Sequence, residues 1–278
     1  MSAQGPDALD VQVELVQELV VRFLRTEAGK FGFARALVGL SGGVDSSVSA
    51  ALAARAFGSR EVLGVMMPYR TSDPASERDA REVAEQLEIA TRRVEITAMA
   101  DGYLAPSGIE DRVRRGNVMA RSRMIVLYDL SVEWNGLVIG TSNKTELLLG
   151  YSTQFGDNAC ALNPLGDLYK HQVYQLARHL GLPRSVIEKA PSADLFAGQT
   201  DEADLGFTYA QADRALYFLV DQRRRPEDLV ADGFDRALVD ALLRRVVANQ
   251  YKRLPPVIAK LSDRTVNQDF RYLRSWGR

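Results

Sequence analysis

Apolar positions in the first half of the chain follow two alternating rhythms. Leu15, Val16, Leu19, Val20, Phe23 and Leu24 recur at i, i+1, i+4 spacing and predict an amphipathic opening helix. The run ALVGL (36–40) predicts a buried strand, and VDSSVSAALAARAF (44–57) the helix that follows it. EVLGVMMP (61–68), TRRVEI (91–96) and GLVIGT (136–141) predict further strands. A charged surface helix, SERDAREVAEQLEI (76–89), and a long helix over 109–134 separate them. Strands alternating with helices of this length predict right-handed βαβ units. The expected fold is therefore α/β: an open parallel sheet with helices on both faces, Rossmann-like.

Past residue 141 the rhythm breaks. NKTELLLG (143–150) predicts a short helix and 151–168 an irregular stretch. YKHQVYQLARHLG (169–181) predicts a helix that Gly181 stops before Pro183. Residues 191–209 are polar and acidic with little periodicity, as is the loop YRTSDPASERDA (69–80). Long irregular segments inside a compact domain are often lids, and residues 69–80 and 194–208 are expected to fold over bound ATP. Helices are predicted around 209–222 and 235–250, followed by NQYKRLPP (249–256). No repeat or Pro/Ser-rich linker divides the chain, so one domain is expected over residues 1–278.

Composition narrows the function classes. With 46% hydrophobic and 26% charged residues and a net charge of −1, the chain lacks the basic balance of a dedicated nucleic-acid binder. Arg114-Arg115 and Arg223–Arg225 read as solvated helix faces. Cys160 has no cysteine to pair with, and two histidines make a His-based zinc site an unfavoured reading. No apolar run approaches about 18 residues, and the first 20 residues lack a signal-peptide pattern. The expectation is a cytoplasmic protein that binds neither membrane nor nucleic acid.

Candidate chemistry begins at the end of the first strand, in SGGVDSS (41–47). Gly42 and Gly43 allow the backbone close to an anion, and the free N–H groups of the next helix point at it. Neither G-x-x-x-x-G-K-[ST] nor G-x-G-x-x-G is present. Instead the turn carries Asp45, which a polyphosphate would repel unless a cation lay between them. Asp45 therefore reads as a Mg²⁺ ligand; read locally, it and the serines serve equally well as helix caps.

SGGVDSS after a strand resembles the signature of the ATP pyrophosphatase superfamily, whose members cleave ATP to AMP and pyrophosphate. Four further stretches narrow the resemblance: NVMARSRM (117–124), residues 140–181, PSADLFAGQTDEADLGFTY (191–209) and NQYKRLPP. Together, from about residue 10 to 260, the chain resembles the NAD synthetases, with the sheet of the adenine nucleotide alpha hydrolase type. The glutamine-dependent members carry an additional amidase domain, for which no room is expected here. The resemblance implies a ligase that makes NAD, AMP and pyrophosphate from deamido-NAD, ATP and ammonia through an adenylate.

It also implies roles for individual residues. Gly39, Leu40, Ser41, Gly42, Gly43, Val44, Asp45 and Ser46 would bind ATP, with Thr141, Lys170 and Ser192. Asp45 and Glu146 would hold Mg²⁺. Thr141 and Glu146 are alternatively a helix cap and a solvated helix glutamate. Lys170 stands at a helix start, where a merely dipole-stabilising cation does not belong. Asp157 would hold ammonium and accept its proton, with Lys170 the second catalytic residue; an Asp after Gly is otherwise a turn residue. Arg121, Tyr251 and Lys252 would contact deamido-NAD. Ser192 replaces the family's Thr, and Tyr251 a His found in some members. Gln154 and Ala161 stand where bacterial ammonia-dependent members often have Lys and Asp. The nitrogen would come as free ammonia or from a separate glutaminase.

The family forms homodimers with a shared dinucleotide site, and the apolar surplus of helix 109–134 is compatible with one. Two rival readings are a tRNA thiolase or other amide-forming synthetase, and a non-catalytic nucleotide-binding protein. A lone cysteine speaks against thiolation, and the presence of Asp45, Glu146 and Lys170 against a silent binder.

Overall fold

The computed structural model describes residues 8–196, 198–266 and 269. Residues 1–7, part of the stretch read for a signal peptide, and Ala197 in the 191–209 segment lie outside them. The predicted strands appear as β1 (Ala36–Gly39), β2 (Val62–Met66), β3 (Ala90–Arg93) and β4 (Leu137–Ile139). They form a parallel sheet in the order β3-β2-β1-β4, with Val38 opposite both Gly64 and Ile139. Residues 161–162 run beside β4 as a single parallel bridge, Ile139 to Leu162, so the irregular stretch extends the sheet by one rung.

Alternate residues of the strands feed different cores, as a sheet covered on both faces requires. Ala36, Val38, Val62 and Met66 pack under α1 (Val13–Gly29), α2 (Val44–Phe57), α3 (Pro74–Gln86) and α7 (Lys170–His179). Leu37, Leu63 and Val65 face α4 (Thr97–Ser107) and α5 (Arg112–Trp134). A third cluster joins α6 (Lys144–Leu149), α10 (Tyr209–Leu216), α11 (Pro226–Ala231) and α12 (Arg236–Ala248).

The long helix predicted from residue 109 begins at Arg112, where the Asp111 side chain accepts the Arg114 N–H at 2.8 Å. Helix α4 precedes it and ends at Gly108, whose φ is +58°. That helix has almost no apolar stripe and contains Gly102 and Pro106, so periodicity gave it no signal. The segments read as loops are also shorter than expected. Residues 74–80 already belong to α3, and α9 (Asp201–Leu205) forms inside the acidic stretch, capped by Thr200. A helix of four residues, α8 (Arg184–Ile187), was likewise not foreseen. The helix expected over 209–222 closes as α10 at Leu216 and continues as a π-turn to Asp221.

Candidate active site

The strand order fixes where a ligand can sit. From β1 the chain winds outward through β2 and β3, then returns to place β4 on the other side of β1. The loops after β1 and β4 therefore diverge at a switch point, the crevice where open α/β sheets bind ligands. Asp45 follows β1 and Glu146 follows β4, so the topology brings together residues 101 positions apart.

Gly42 makes the turn at φ +76°, and a Cβ there would lie 2.2 Å from the Ser76 carbonyl oxygen. The hydroxyls of Ser46 and Ser47 donate to the Gly43 carbonyl at 3.0 and 2.8 Å. Ser41 Oγ accepts the Gly43 N–H at 3.3 Å and lies 3.0 Å from Ser46 Oγ. None of these serines caps the helix: Ser46 and Ser47 bond back to the Gly43 carbonyl, and Gly43 itself stands at the N-cap with no side-chain partner. Leu40 and Val44 turn their side chains into the core, leaving only backbone to the crevice.

Asp45 does not cap its helix. One carboxylate oxygen accepts from Asn143 Nδ2 at 2.9 Å, and the other meets Lys170 Nζ at 2.5 Å. Lys170 Nζ lies 3.3 Å from Glu146 Oε1 and 4.8 Å from the centre of the Tyr209 ring. The lysine side chain is only 2% exposed. Burial opposes its charge, but Asp45 and Glu146 outweigh that and raise its pKa. Burial, then the Asp45 charge, push Glu146 up to about 8 against the pull of Lys170.

Glu146 is aimed by a capping box. The Asn143 side chain accepts the Glu146 N–H at 3.0 Å, and Glu146 Oε2 accepts the Asn143 N–H at 3.3 Å. The N-x-x-E spacing of Asn143 and Glu146 was open to that reading from sequence. Asn143 thereby becomes a site residue that sequence reasoning missed, since it also holds Asp45. Tyr209 and Asp201 are two more. Tyr209 donates to Asp201 Oδ2 at 3.1 Å and its hydroxyl lies 3.5 Å from Glu146 Oε1; Tyr151 donates to Asp201 Oδ1 at 3.1 Å. Nothing in the local pattern of 191–209 marks these partners.

A second group of candidates gathers on residues 150–157. Asp157 is exposed, and its Oδ1 accepts the Thr153 N–H at 2.6 Å. Lys252 donates to the Gly150 and Ser152 carbonyls, each at 2.7 Å; burial lowers its pKa, against the nearby Asp157 charge. Arg121 reaches the Gln154 carbonyl from α5 at 3.2 Å. Tyr251 is exposed beside them. Ser192 stands apart: it is exposed, and its hydroxyl accepts the Asp194 N–H at 3.1 Å. Thr141 is half-buried between β4 and Asn143.

The two polar segments meet. Asp194 Oδ1 accepts the Asp73 N–H at 3.1 Å, and Lys189 pairs with Asp79 at 2.7 Å. Leu195 and Phe196 pack into the α4–α5 cluster. No helix among the described residues is long and apolar enough to cross a membrane.

Comparison with known proteins finds the chain similar to NAD synthetases. An ammonia-dependent NAD(+) synthetase of Chlorobium phaeovibrioides is 53% identical over 96% of this chain and 97% of its own length. One of Trichlorobacter lovleyi is 52% identical over 97% and 99%. Among solved structures, the NMN synthetase of Francisella tularensis superposes with a TM-score of 0.81 at 30% identity, covering 91% of this chain and all of that one. The ammonia-dependent NAD synthetase of Campylobacter jejuni gives 0.77 at 33%, covering 90% and 100%. The sequence pattern of the NAD synthase family matches residues 16–256, a span that holds the turn after β1, the Asp45–Lys170–Glu146 cluster and the 150–157 group alike; the chain belongs to that family.

Proposed function

We propose that the chain joins ammonia to the nicotinic acid carboxyl group of deamido-NAD at the expense of ATP. The observation that carries this is the meeting of Lys170 with Asp45 and Glu146 at the switch point. Adenylation requires a carboxylate to approach a polyanionic nucleotide, and charge neutralisation is its main physical demand. The substrate carboxylate oxygen attacks the α-phosphorus, the bond to the β-phosphate bridging oxygen breaks, and pyrophosphate leaves. Ammonia then adds its lone pair to the acyl carbon, AMP departs, and the nitrogen loses a proton.

Gly39 to Ser46 supply the backbone turn for the ATP phosphates, with Thr141 and Ser192 completing the nucleotide contacts. Lys170 carries the positive charge to the phosphates. Asp45 and Glu146 suit Mg²⁺, because two hard oxygen donors already converge on one cationic atom. Among the described residues no third His, Cys, Asp or Glu joins them. That matches an ion which takes one or two carboxylates and completes its shell with water and phosphate oxygens. Held there, Mg²⁺ would neutralise phosphate charge.

Asp157, exposed at the turn and held by the Thr153 N–H, would accept the ammonium proton. Arg121, Tyr251 and Lys252 surround the same turn as the deamido-NAD contacts. The linked segments 69–80 and 194–208 would cover the adenylate and keep water from it. The active unit is a homodimer, working in the cytoplasm on free ammonia or on ammonia from a separate glutaminase.

The test is to incubate the protein with ATP, Mg²⁺, ammonium and deamido-NAD. NAD and AMP are expected in equal amounts. ADP as product would exclude attack at the α-phosphorus. Because one fold neighbour is an NMN synthetase, nicotinic acid mononucleotide belongs in a parallel reaction; its preferential amidation would reassign the substrate.

A further inference from the structure

Lys170 is the first residue of α7, and its side chain can serve the phosphates only if that helix start is fixed against α6, which carries Glu146. The first backbone N–H groups of a helix have no partner within the helix and must find one elsewhere. Here the Tyr169 N–H donates to the Gln172 side chain at 2.8 Å, inside the same turn. The next two are served from outside α7. Lys170 N–H donates to Thr145 Oγ1 at 3.0 Å, and His171 N–H donates to Asp213 Oδ2 at 2.7 Å. The Thr145 hydroxyl in turn donates to Asp213 Oδ1 at 2.5 Å. Asp213 and Thr145 are fully buried, and Asp213 comes from α10, outside the crevice.

We propose that Asp213, acting through Thr145, is a positioning residue for the adenylation step. Its two carboxylate oxygens hold the α7 start and the residue before Glu146 in one register, and that register sets where Lys170 Nζ meets Asp45 and Glu146. A carboxylate is suited to the task because both oxygens accept, and because a negative charge at a helix N-terminus is favourable. Thr145 is suited because a single hydroxyl can accept from Lys170 and donate to Asp213 together. Asp213→Asn would keep one acceptor for the His171 N–H but turn an N–H₂ toward the Thr145 hydroxyl, whose own proton then loses its acceptor.

This inference rests on the role given to Lys170 above, and the experiment separates the two. Wild-type protein, Thr145→Val, Thr145→Ser and Asp213→Asn are compared at pH 7.5 by single-turnover pyrophosphate release with ATP, Mg²⁺ and deamido-NAD, and by thermal melting. If the wild type releases no pyrophosphate, the proposed reaction fails. If it does, Thr145→Val and Asp213→Asn are expected to slow release at least about tenfold, the scale of a misplaced reacting group. The KM for deamido-NAD should stay within about twofold, since a loss confined to the chemical step leaves substrate binding in place. Thr145→Ser, which keeps the hydroxyl, should release pyrophosphate at nearly the wild-type rate. A merely structural role would lower the melting temperature without this contrast. The proposal is overturned if Thr145→Val matches the wild type, or if Thr145→Ser is as slow as Thr145→Val; that pair decides the matter even where Asp213→Asn does not fold.

Discussion

Lys170 shows how much of the site is settled by single charges. A buried ammonium is costly unless paired, and a buried carboxylate likewise; here two carboxylates share one lysine. Burial first, and the excess negative charge of the cluster second, push Glu146 up toward neutrality. The proposed Mg²⁺ would relieve that conflict. Asp213 carries a related conflict, with Lys170 only a minor counterweight. Burial raises its pKa to about 6, against the hydrogen bonds from Thr145 and His171. Because the folded value lies above the unfolded 3.8, its contribution to stability is fully present below pH 3.8 and is lost as pH rises to about 6. Relative to wild type, Asp213→Asn should therefore be more destabilising at pH 4 than at pH 7. The difference is on the order of 3 kcal/mol, from 1.36 kcal/mol per pKa unit. Urea unfolding of both proteins at the two pH values measures it, and an unchanged difference would show that Asp213 does not titrate as described.

At the scale of elements, the turn between β1 and α2 is held from outside by α3. Gly42 combines φ +76° with a Cβ position 2.2 Å from the Ser76 carbonyl oxygen, whereas a Cβ on Gly43 would meet only Ser41 Oγ, at 3.4 Å. Gly42→Ala should cost roughly 2–3 kcal/mol through backbone strain and displacement of α3, and weaken ATP binding. Gly43→Ala should cost about 1 kcal/mol or less, in line with its ordinary helix N-cap backbone. Denaturant melts and ATP titration separate them; equal losses would mean that α3 does not set the turn. The strands and helices of this half were legible because apolar period and glycine punctuation coincide, as in ALVGLSGG and GLVIGT. Helix α4 was not, for Ala100 and Leu104 bury themselves without forming a stripe. Asp45 stood out in the glycine turn after β1, whereas Glu146, locally read as a solvated helix glutamate, was singled out only by the family resemblance. Asn143, Asp201, Tyr209 and Asp213 were not legible, because each owes its place to a side-chain partner that only tertiary packing brings near.

For the whole molecule, one face of α5 links the candidate substrate site to the outer surface. Arg121, Ile125, Tyr128 and Val132 are spaced i, i+4, i+7, i+11 and so share a stripe. Ile125 is 54% and Val132 82% exposed, with Tyr128 between them. Arg121, at the end of this stripe, bonds to the turn that carries Asp157. A two-fold contact along the stripe would be self-complementary and would cover apolar side chains that water otherwise meets. In the proposed homodimer, such a contact would complete the dinucleotide site between subunits and leave the ATP crevice, at the sheet's switch point, within one. The double variant Ile125→Glu/Val132→Glu should accordingly sediment as a monomer where the wild type sediments as a dimer. It should bind ATP within about twofold of the wild type and raise the KM for deamido-NAD about tenfold or more, the pattern of lost substrate binding. A fully active wild-type monomer, or a monomeric variant with unchanged KM for deamido-NAD, would confine the dinucleotide site to a single chain and leave the α5 stripe without a part in it.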